Sequence, residues 1–252
     1  MHLTSRQQKI LQLVQQRQQI SVADLCRELY FSPSTIRRDL ELLQQQELLL
    51  RTHGGAMLRS NWDSGVPSLL RETQEVAAKQ RIGKAAVQFL RDGDRIFIDS
   101  SSTAYAMVDS LDPQLELTVF TNGLSLASKL SQFPKIKTIC TGGQLIPSSQ
   151  SFIGFHALRF LEYYYADKLF FSTNSFSLTM GITDMSEFES ELKRQMILRA
   201  KQVFYLADSS KFETVSTYKI CEAVDIHTLI TNAPASVFAQ ESELPFQIVS
   251  AE

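Results

Sequence analysis

The stretch from Ser32 to Leu43 constrains this chain more than any other. Ser32 can cap a helix with its hydroxyl, and Pro33 suits the first helical position, where a missing N–H costs nothing. Ile36, Leu40 and Leu43 recur at helical spacing and mark one apolar face. The sequence therefore predicts an amphipathic helix that begins at Pro33.

The other faces of this predicted helix carry short hydroxyls beside guanidinium groups. The candidate DNA contacts among them are Ser32, Ser34, Thr35, Arg37 and Arg38. Hydroxyl and guanidinium groups hydrogen-bond to phosphate oxygens, and arginine also reads guanine edges in a major groove. Because an arginine pair on a helix is more often a solvated charged face, the neighbouring segments must decide between the two interpretations.

Those neighbouring segments favour DNA binding. A capping box and apolar spacing predict a first helix over residues 4–18, and Ser21 with Asp24 begins a second, which leads through a short connection into the arginine helix. This order is typical of a helix-turn-helix. Two short apolar runs around Gly54 and Gly55 then predict a β-hairpin wing. Arg51, His53 and Gly54 complete the candidate DNA contacts, because they lie where a wing meets the phosphate backbone.

Charge supports a division into two domains. Residues 1–59 carry 8 Lys and Arg against 5 Asp and Glu, a net +3, whereas the rest carries 17 against 22, a net −5. A basic head on an acidic body fits a DNA-binding module joined to a unit that does not touch DNA. We expect a DNA-binding domain over 1–59, a polar linker over 60–78 and a second domain over 79–252. No apolar run reaches the roughly 20 residues of a membrane span and the N-terminus lacks a signal-peptide pattern, so we expect a cytoplasmic protein without membrane contact.

From Lys79 onward, helix-like and strand-like segments alternate. The predicted strands are 95–99, 117–120, 137–140, 168–171, 203–206, 227–230 and 246–249. This alternation predicts an α/β domain with a mainly parallel sheet, in which ligands bind at the carboxyl ends of the strands.

Polar residues concentrate in the loops after these strands. The candidate effector-binding residues are Asp99, Ser100, Ser101, Ser102, Thr103, Thr121, Asn122, Gly142, Gly143, Lys193, Asp208 and Lys211. Hydroxyls, backbone N–H groups and lysines suit a small, phosphorylated, polyhydroxylated ligand. Any single loop has a simpler explanation, since Ser, Thr and Asp commonly form caps and turns. Several such loops on one edge of one sheet favour a pocket.

Several motifs are those of one known family. They include Ser34-Thr-Ile-Arg-Arg-Asp-Leu40, Arg51-Thr-His-Gly-Gly-Ala56, Ile98-Asp-Ser100, Gly181-Ile-Thr183 and Asp208-Ser-Ser-Lys-Phe212. Over nearly its whole length the chain resembles the DeoR family of bacterial transcriptional repressors of sugar metabolism. The resemblance implies a winged helix-turn-helix followed by a sensor domain similar in fold to ribose-5-phosphate isomerase. It also implies a homo-oligomer that leaves double-stranded operator DNA when a phosphorylated sugar binds.

The chain departs from this family at three glycines, where it has Ser101, Ser172 and Ser175. Glycine permits positive φ and close approach of the backbone to a ligand. Either the serine hydroxyls supply equivalent hydrogen bonds, or the sensor has changed or lost its ligand.

Two alternatives to a sugar-responsive repressor remain. In one, the second domain serves only to oligomerise a DNA-binding protein. In the other, the chain is a sugar-phosphate isomerase, which would need a carboxylate base beside the substrate carbons. No aspartate here matches the isomerase glutamate, and a DNA-binding head has no use in an isomerase. We therefore expect no catalytic residue, no cofactor and no metal site.

Overall fold

The computed structural model describes residues 3–17, 19–46, 48–57, 68–238 and 244–251. The chain divides into two compact units, residues 1–74 and 75–252, which we call the head and the sensor. In the described part of the chain, no helix is long and apolar enough to cross a membrane.

The described residues of the head form four helices and a small antiparallel sheet. In chain order its elements are α1 (Ser5–Arg17), β1 (Gln19–Ser21), α2 (Val22–Leu29), α3 (Pro33–Gln45), β2 (Leu50–Thr52), β3 (Gly55–Met57) and α4 (Ser68–Thr73). Strand β3 lies between β1 and β2 and pairs antiparallel with both. The three predicted helices and the predicted wing are therefore confirmed, and β1, which is only three residues long, is an addition.

Local capping explains where the two central helices begin. The Ser21 hydroxyl accepts a hydrogen bond from the Asp24 N–H at 3.0 Å, and the Ser32 hydroxyl accepts one from the Thr35 N–H at 3.4 Å. Both capping residues have extended backbones, and Pro33 occupies the first turn of α3.

Gly55 permits the wing to pack closely against β1. A Cβ at this position would lie 2.0 Å from the Ile20 carbonyl oxygen, so no larger residue fits without moving the backbone. Ser21 and Gly55 are register partners in this pairing. Gly55 is therefore required by the pairing of β1 with β3 and not only by the turn of the wing.

The predicted linker over 60–78 needs correction. Residues 60–67 lie outside the described residues, but 68–73 form α4 and 76–78 belong to the first sensor helix. Leu70 is completely buried in the same apolar core as Ile10 and Leu40, so α4 belongs to the head. A six-residue helix is too short to produce a recognisable periodicity in sequence, and the head extends to residue 74 rather than 59.

The sensor alternates helices and strands. Its elements are α5 (Val76–Ala86), β4 (Arg95–Ile98), α6 (Ser102–Met107), β5 (Leu117–Thr121), α7 (Leu124–Leu130), β6 (Ile136–Cys140), β7 (Gln144–Ile146), β8 (Ser151–Ile153), α8 (Phe155–Leu161), β9 (Ala166–Phe171), β10 (Ser175–Ser177), β11 (Gly181–Asp184), α9 (Glu187–Ile197), β12 (Ala200–Ala207), β13 (Tyr218–Cys221), β14 (Thr228–Thr231) and β15 (Gln247–Ser250). Short 3₁₀ turns occur at Val87–Phe89, Val108–Ser110, Ser209–Lys211, Ala223–Asp225 and Ala235–Phe238.

Seven strands form one parallel sheet in the order β15-β14-β12-β9-β4-β5-β6. All seven predicted strands are confirmed, as is the parallel arrangement. The additions are a β7-β8 hairpin and a small antiparallel sheet in the order β10-β11-β13, whose strands of three or four residues were not predicted.

Apolar side chains cover both faces of the large sheet. Phe170 and Phe204 stack on one face with ring centroids 4.8 Å apart, and Phe171 and Tyr205 meet on the other at 5.1 Å. Successive residues of one strand therefore serve two separate cores. This explains why the central strands read as continuous apolar runs.

Candidate DNA-binding face and effector site

Helix α3 separates its apolar residues from its DNA-binding candidates as predicted. Ile36, Leu40 and Leu43 are buried in the head core. The candidates Ser32, Ser34, Arg37 and Arg38 are exposed and Thr35 is half-buried. The exposed side of the helix is thus free to enter a major groove, whose width admits an α-helix.

The start of α3 carries a cluster of three hydroxyls. The Ser32 oxygen lies 3.0 Å from that of Ser34 and 2.9 Å from that of Thr35. Since all three are accessible, each can exchange this mutual hydrogen bond for one to a phosphate oxygen. The uncompensated N–H groups of the first turn favour an anion at the same place.

A buried carboxylate that the sequence analysis missed positions α3. Asp39 accepts hydrogen bonds from the guanidinium of Arg6 and, at 3.3 Å, from the side-chain amide of Gln7. Arg6 also lies over the ring of Phe31, 4.6 Å from its centroid. These contacts tie α1 to the middle of α3 through Asp39 and to the turn before α3 through Phe31.

The wing presents its three candidates to solvent. Arg51, His53 and Gly54 are all exposed at the β2-β3 turn. The Gly54 carbonyl accepts a hydrogen bond from the Val22 N–H at 2.8 Å, which attaches the wing to the start of α2.

In the sensor, the candidate residues lie at one edge of the sheet. Asp99 follows β4, Asn122 follows β5, Gly142 follows β6 and Asp208 follows β12. These strands run parallel, so their carboxyl ends share an edge, as predicted.

Asp99 is the centre of a buried polar cluster. It is 1% exposed and accepts hydrogen bonds from the Ser101 N–H at 3.2 Å, the Ser101 hydroxyl at 2.5 Å and the Ser172 N–H at 3.4 Å. The Lys193 ammonium lies 3.7 Å from its second oxygen. Burial raises the pKa of Asp99, and Lys193 and the hydrogen bonds only partly oppose this effect.

Lys193 is buried among three carboxylates. It forms an ion pair with Asp184 as well as with Asp99, and Glu189 is close enough to contribute. Burial lowers the pKa of Lys193, but the attraction of these carboxylates outweighs it and the pKa is raised. From sequence, either Lys193 or Lys211 could neutralise a phosphate, but the charge of Lys193 is already balanced within the protein.

The loops after β5 and β6 are held tightly. Thr121 is buried and accepts a hydrogen bond from the Gly123 N–H at 3.0 Å, and the Asn122 amide donates to the Ser100 hydroxyl at 3.4 Å. Gly142 and Gly143 both have positive φ, and a Cβ on Gly143 would lie 2.5 Å from a carbonyl oxygen of β8. These glycines are required by the turn that leads into the β7-β8 hairpin.

Two buried acceptors at this edge have no donor among the described residues. They are the Asn122 side-chain oxygen and one carboxylate oxygen of Asp208, whose other oxygen accepts from the Ser210 N–H at 3.0 Å. A buried acceptor without a donor is costly. Because both atoms are acceptors, a ligand that reaches them must bring donors, and hydroxyl groups meet that requirement.

The remaining candidates differ in accessibility. Ser102 and Thr103 are buried in the first turn of α6, whereas Ser100 is half-buried. Lys211 is half-buried and pairs with no carboxylate in the described part of the chain.

The three serines at family glycine positions adopt ordinary backbone conformations. None of Ser101, Ser172 and Ser175 has positive φ. Ser101 caps α6, since its hydroxyl accepts from the Ala104 N–H at 3.2 Å, and it donates to Asp99. These three positions therefore do not require the backbone conformations that only glycine adopts readily. The Ser101 hydroxyl donates a hydrogen bond to one oxygen of Asp99, and a glycine at position 101 would leave that oxygen without this donor.

Several members of the buried cluster were not among the candidates. Ser151 donates to Glu189 at 2.6 Å, and the Thr173 and Tyr205 hydroxyls lie 2.7 Å apart. Tyr205 reads as an ordinary core residue, and Glu189 reads as a solvated helix residue. Docking of α9 brings Glu189 to the sheet edge and the β7-β8 hairpin brings Ser151, whereas Thr173 follows β9 and Tyr205 lies within β12.

The fold and these two sites define a winged-helix transcriptional regulator with an attached α/β sensor. A DeoR-like helix-turn-helix domain model matches residues 6–61, and a DeoR C-terminal sensor domain model matches residues 74–233. The chain belongs to the DeoR family and is a DNA-binding transcriptional regulator.

Curated relatives span nearly the whole chain. An uncharacterized HTH-type transcriptional regulator of Bacillus subtilis, YulB, is 39% identical over 96% of this chain and 95% of its own length. The HTH-type transcriptional repressor GlcR of the same organism is 34% identical, with 92% and 89% covered. The L-fucose operon activator of Haemophilus influenzae is 32% identical, with 90% and 91% covered.

Among solved structures, ribose 5-phosphate isomerase A of Methanocaldococcus jannaschii overlaps 53% of this chain and 53% of its own. The identity is 17% and the TM-score is 0.40. The overlap is too small to bear on function.

Proposed function

We propose that this regulator represses carbohydrate-utilisation genes and is released from its operator by a phosphorylated sugar. The observation that carries the proposal is the edge of the parallel sheet, where two buried acceptors find no donor in the described part of the chain. Sugar hydroxyls would donate to Asn122 and Asp208. We assign the phosphate to Lys211, because Lys193 is already paired with Asp184 and Asp99 and Lys211 pairs with no carboxylate among the described residues.

The names of two relatives support the carbohydrate and repressor parts of the proposal. GlcR is named a repressor and the Haemophilus protein an activator of an L-fucose operon. We propose repression for this chain, in a homo-oligomer that places two recognition helices on an inverted repeat.

Fluorescence anisotropy on labelled DNA from upstream of the protein's own gene tests this function. The bound protein is titrated with a panel of phosphorylated sugars, each beside its unphosphorylated counterpart. Release by one phosphosugar at concentrations where the free sugar has no effect is the expected result.

Two other outcomes would replace the proposal. Tight DNA binding that no compound changes, together with no thermal stabilisation by any of them, would indicate a sensor that has lost its ligand. Turnover of ribose 5-phosphate that Asp99→Ala abolishes would indicate an isomerase.

A further inference from the structure

The turn between α2 and α3 exposes an aromatic side chain in a left-handed backbone conformation. Tyr30 has φ 58° and ψ 37°, and its N–H donates to the Cys26 carbonyl at 3.0 Å as the C-cap of α2. Its side chain is 92% exposed. Glycine is the usual residue in such a cap, because a Cβ makes the left-handed conformation unfavourable.

Packing within the head does not account for this tyrosine. The next residue, Phe31, is 42% exposed and lies under the guanidinium of Arg6. The Tyr30 hydroxyl has no hydrogen-bond partner among the described residues. Tyr30 therefore combines an unfavourable backbone conformation with a ring that is 92% exposed, and the described residues offer its hydroxyl no compensating contact. This combination points to a partner outside the protein.

The position of Tyr30 indicates which partner. It precedes the N-cap Ser32 by two residues, and Ser32, Pro33 and Ser34 are all exposed. In a helix-turn-helix the first residues of the recognition helix reach the base edges, while the preceding helix crosses the phosphate backbone. The turn that joins the two helices then borders the phosphates at the rim of the groove.

We propose that the Tyr30 hydroxyl donates a hydrogen bond to a DNA phosphate beside the groove that α3 enters. The left-handed cap holds the ring outside the helix pair, where the phenol can reach the backbone. Tyrosine is among the side chains that contact phosphate oxygens, and such contacts fix register without reading sequence. The inference depends on the DNA-binding role of the head and not on any effector.

Loss of a neutral hydrogen-bond donor affects DNA affinity and its salt dependence differently from loss of an arginine. Removal of the hydroxyl lowers affinity by the same factor on operator DNA and on unrelated DNA, because phosphates are common to both. It leaves the salt dependence of binding unchanged, since counterion release follows from positive charges on the protein. Loss of an arginine contact to phosphate instead reduces that slope by about one.

The experiment is anisotropy of the full-length protein without sugar, on operator and on unrelated duplexes, over a range of salt concentrations. Tyr30→Phe removes only the hydroxyl, and we expect a loss of roughly fivefold to tenfold on both duplexes with an unchanged slope. Tyr165→Phe, which alters an exposed tyrosine of the sensor, is the matched control and should bind like the wild type.

Tyr30→Gly is a second variant, in which DNA binding and thermal stability are both measured. It should weaken DNA binding at least as much as Tyr30→Phe, while the melting temperature stays the same or rises because glycine adopts the left-handed conformation freely. Binding by Tyr30→Phe within twofold of the wild type would overturn the proposal. So would a loss confined to the operator, a changed salt slope, or a change in assembly state measured by sedimentation.

Discussion

The head and the sensor place their functional polar groups in opposite environments. Ser34, Arg37 and Arg38 of the head are exposed on one helix, whereas Asp99 and Lys193 of the sensor are almost completely buried. An exposed face on a single helix can change without disturbing the core behind it. A buried cluster assembled from several loops links binding to folding, because each charge depends on its partners.

The largest expected effect comes from removing the central cation of the buried cluster. Lys193→Met leaves Asp99, Asp184 and Glu189 without their shared counter-charge, and breaking a buried ion pair in this way costs about 3–5 kcal/mol of the free energy of unfolding. Chemical denaturation at pH 7 measures it. Lys201→Met, which removes an exposed lysine paired with Asp167, is the control and should lose less than about 0.5 kcal/mol.

The pH dependence of the Lys193 variant gives a further check within the same experiment. Burial raises the pKa of Asp99 above the ordinary 3.8, so Asp99 binds a proton more readily in the folded state than in the unfolded chain. The stability that this proton binding confers is present at low pH and is lost as pH rises through the raised pKa. The cost of Lys193→Met should therefore shrink on acidification. A cost independent of pH would show that the carboxylates do not depend on this cation.

Arg38→Ala tests the exposed face of α3. We expect DNA affinity to fall by about 1–3 kcal/mol with an unchanged melting temperature, because the side chain projects from the face opposite the head core. Arg91→Ala, at an exposed arginine of the sensor, is the control for a general loss of positive charge. An unchanged affinity of the Arg38 variant would remove this residue from the DNA-binding face.

Lys211→Ala should impair the response to the phosphosugar and not DNA binding. DNA affinity should remain that of the wild type, while release requires a roughly tenfold or higher concentration of the phosphosugar that releases the wild type, since a charged hydrogen bond is lost. Lys135→Ala, another accessible lysine of the sensor, serves as the control. Release of the Lys211 variant at the wild-type concentration would mean that the phosphate is bound elsewhere.

The smallest expected effect concerns a surface ion-pair group. Hydrogen bonds from Arg95 and Lys201 lower the pKa of Asp167, so the stability it confers is present above the ordinary pKa of 3.8 and is lost as pH falls through the lowered value. Asp167→Asn should cost less than about 1 kcal/mol at pH 7. The difference from the wild type should vanish in strong acid. Glu28→Gln in the head, which removes a partner of Arg17, should have an equally small effect.

The same contrast explains what could be predicted from sequence. The exposed face of α3 and the seven long strands have patterns that extend over several consecutive residues. Helix periodicity separates Arg38 from Ile36 directly, and parallel alternation places Asp99, Asn122 and Asp208 on one edge. These predictions needed only local sequence and one topological rule.

The missing parts depend on distant contacts. Lys193 becomes a neighbour of Asp99 only because α9 docks beside the sheet edge, and the pairing of Lys193 follows from that docking. The three-residue strands β7, β8 and β10 are too short to show a period. The strain at Tyr30 was equally invisible, since a left-handed conformation at a non-glycine residue is a property of the folded turn.

Leu70 has a consequence for the architecture of the whole chain. Helix α4 belongs to the head although ten residues of sequence separate it from β3, because Leu70 packs in the head core. Backbone continuity between the two units therefore passes through Gln74 and Glu75, and not through the polar segment that composition suggests as a tether. Evolution can lengthen or shorten that segment without altering the number of residues between the units, and a self-sufficient head requires the chain through residue 74.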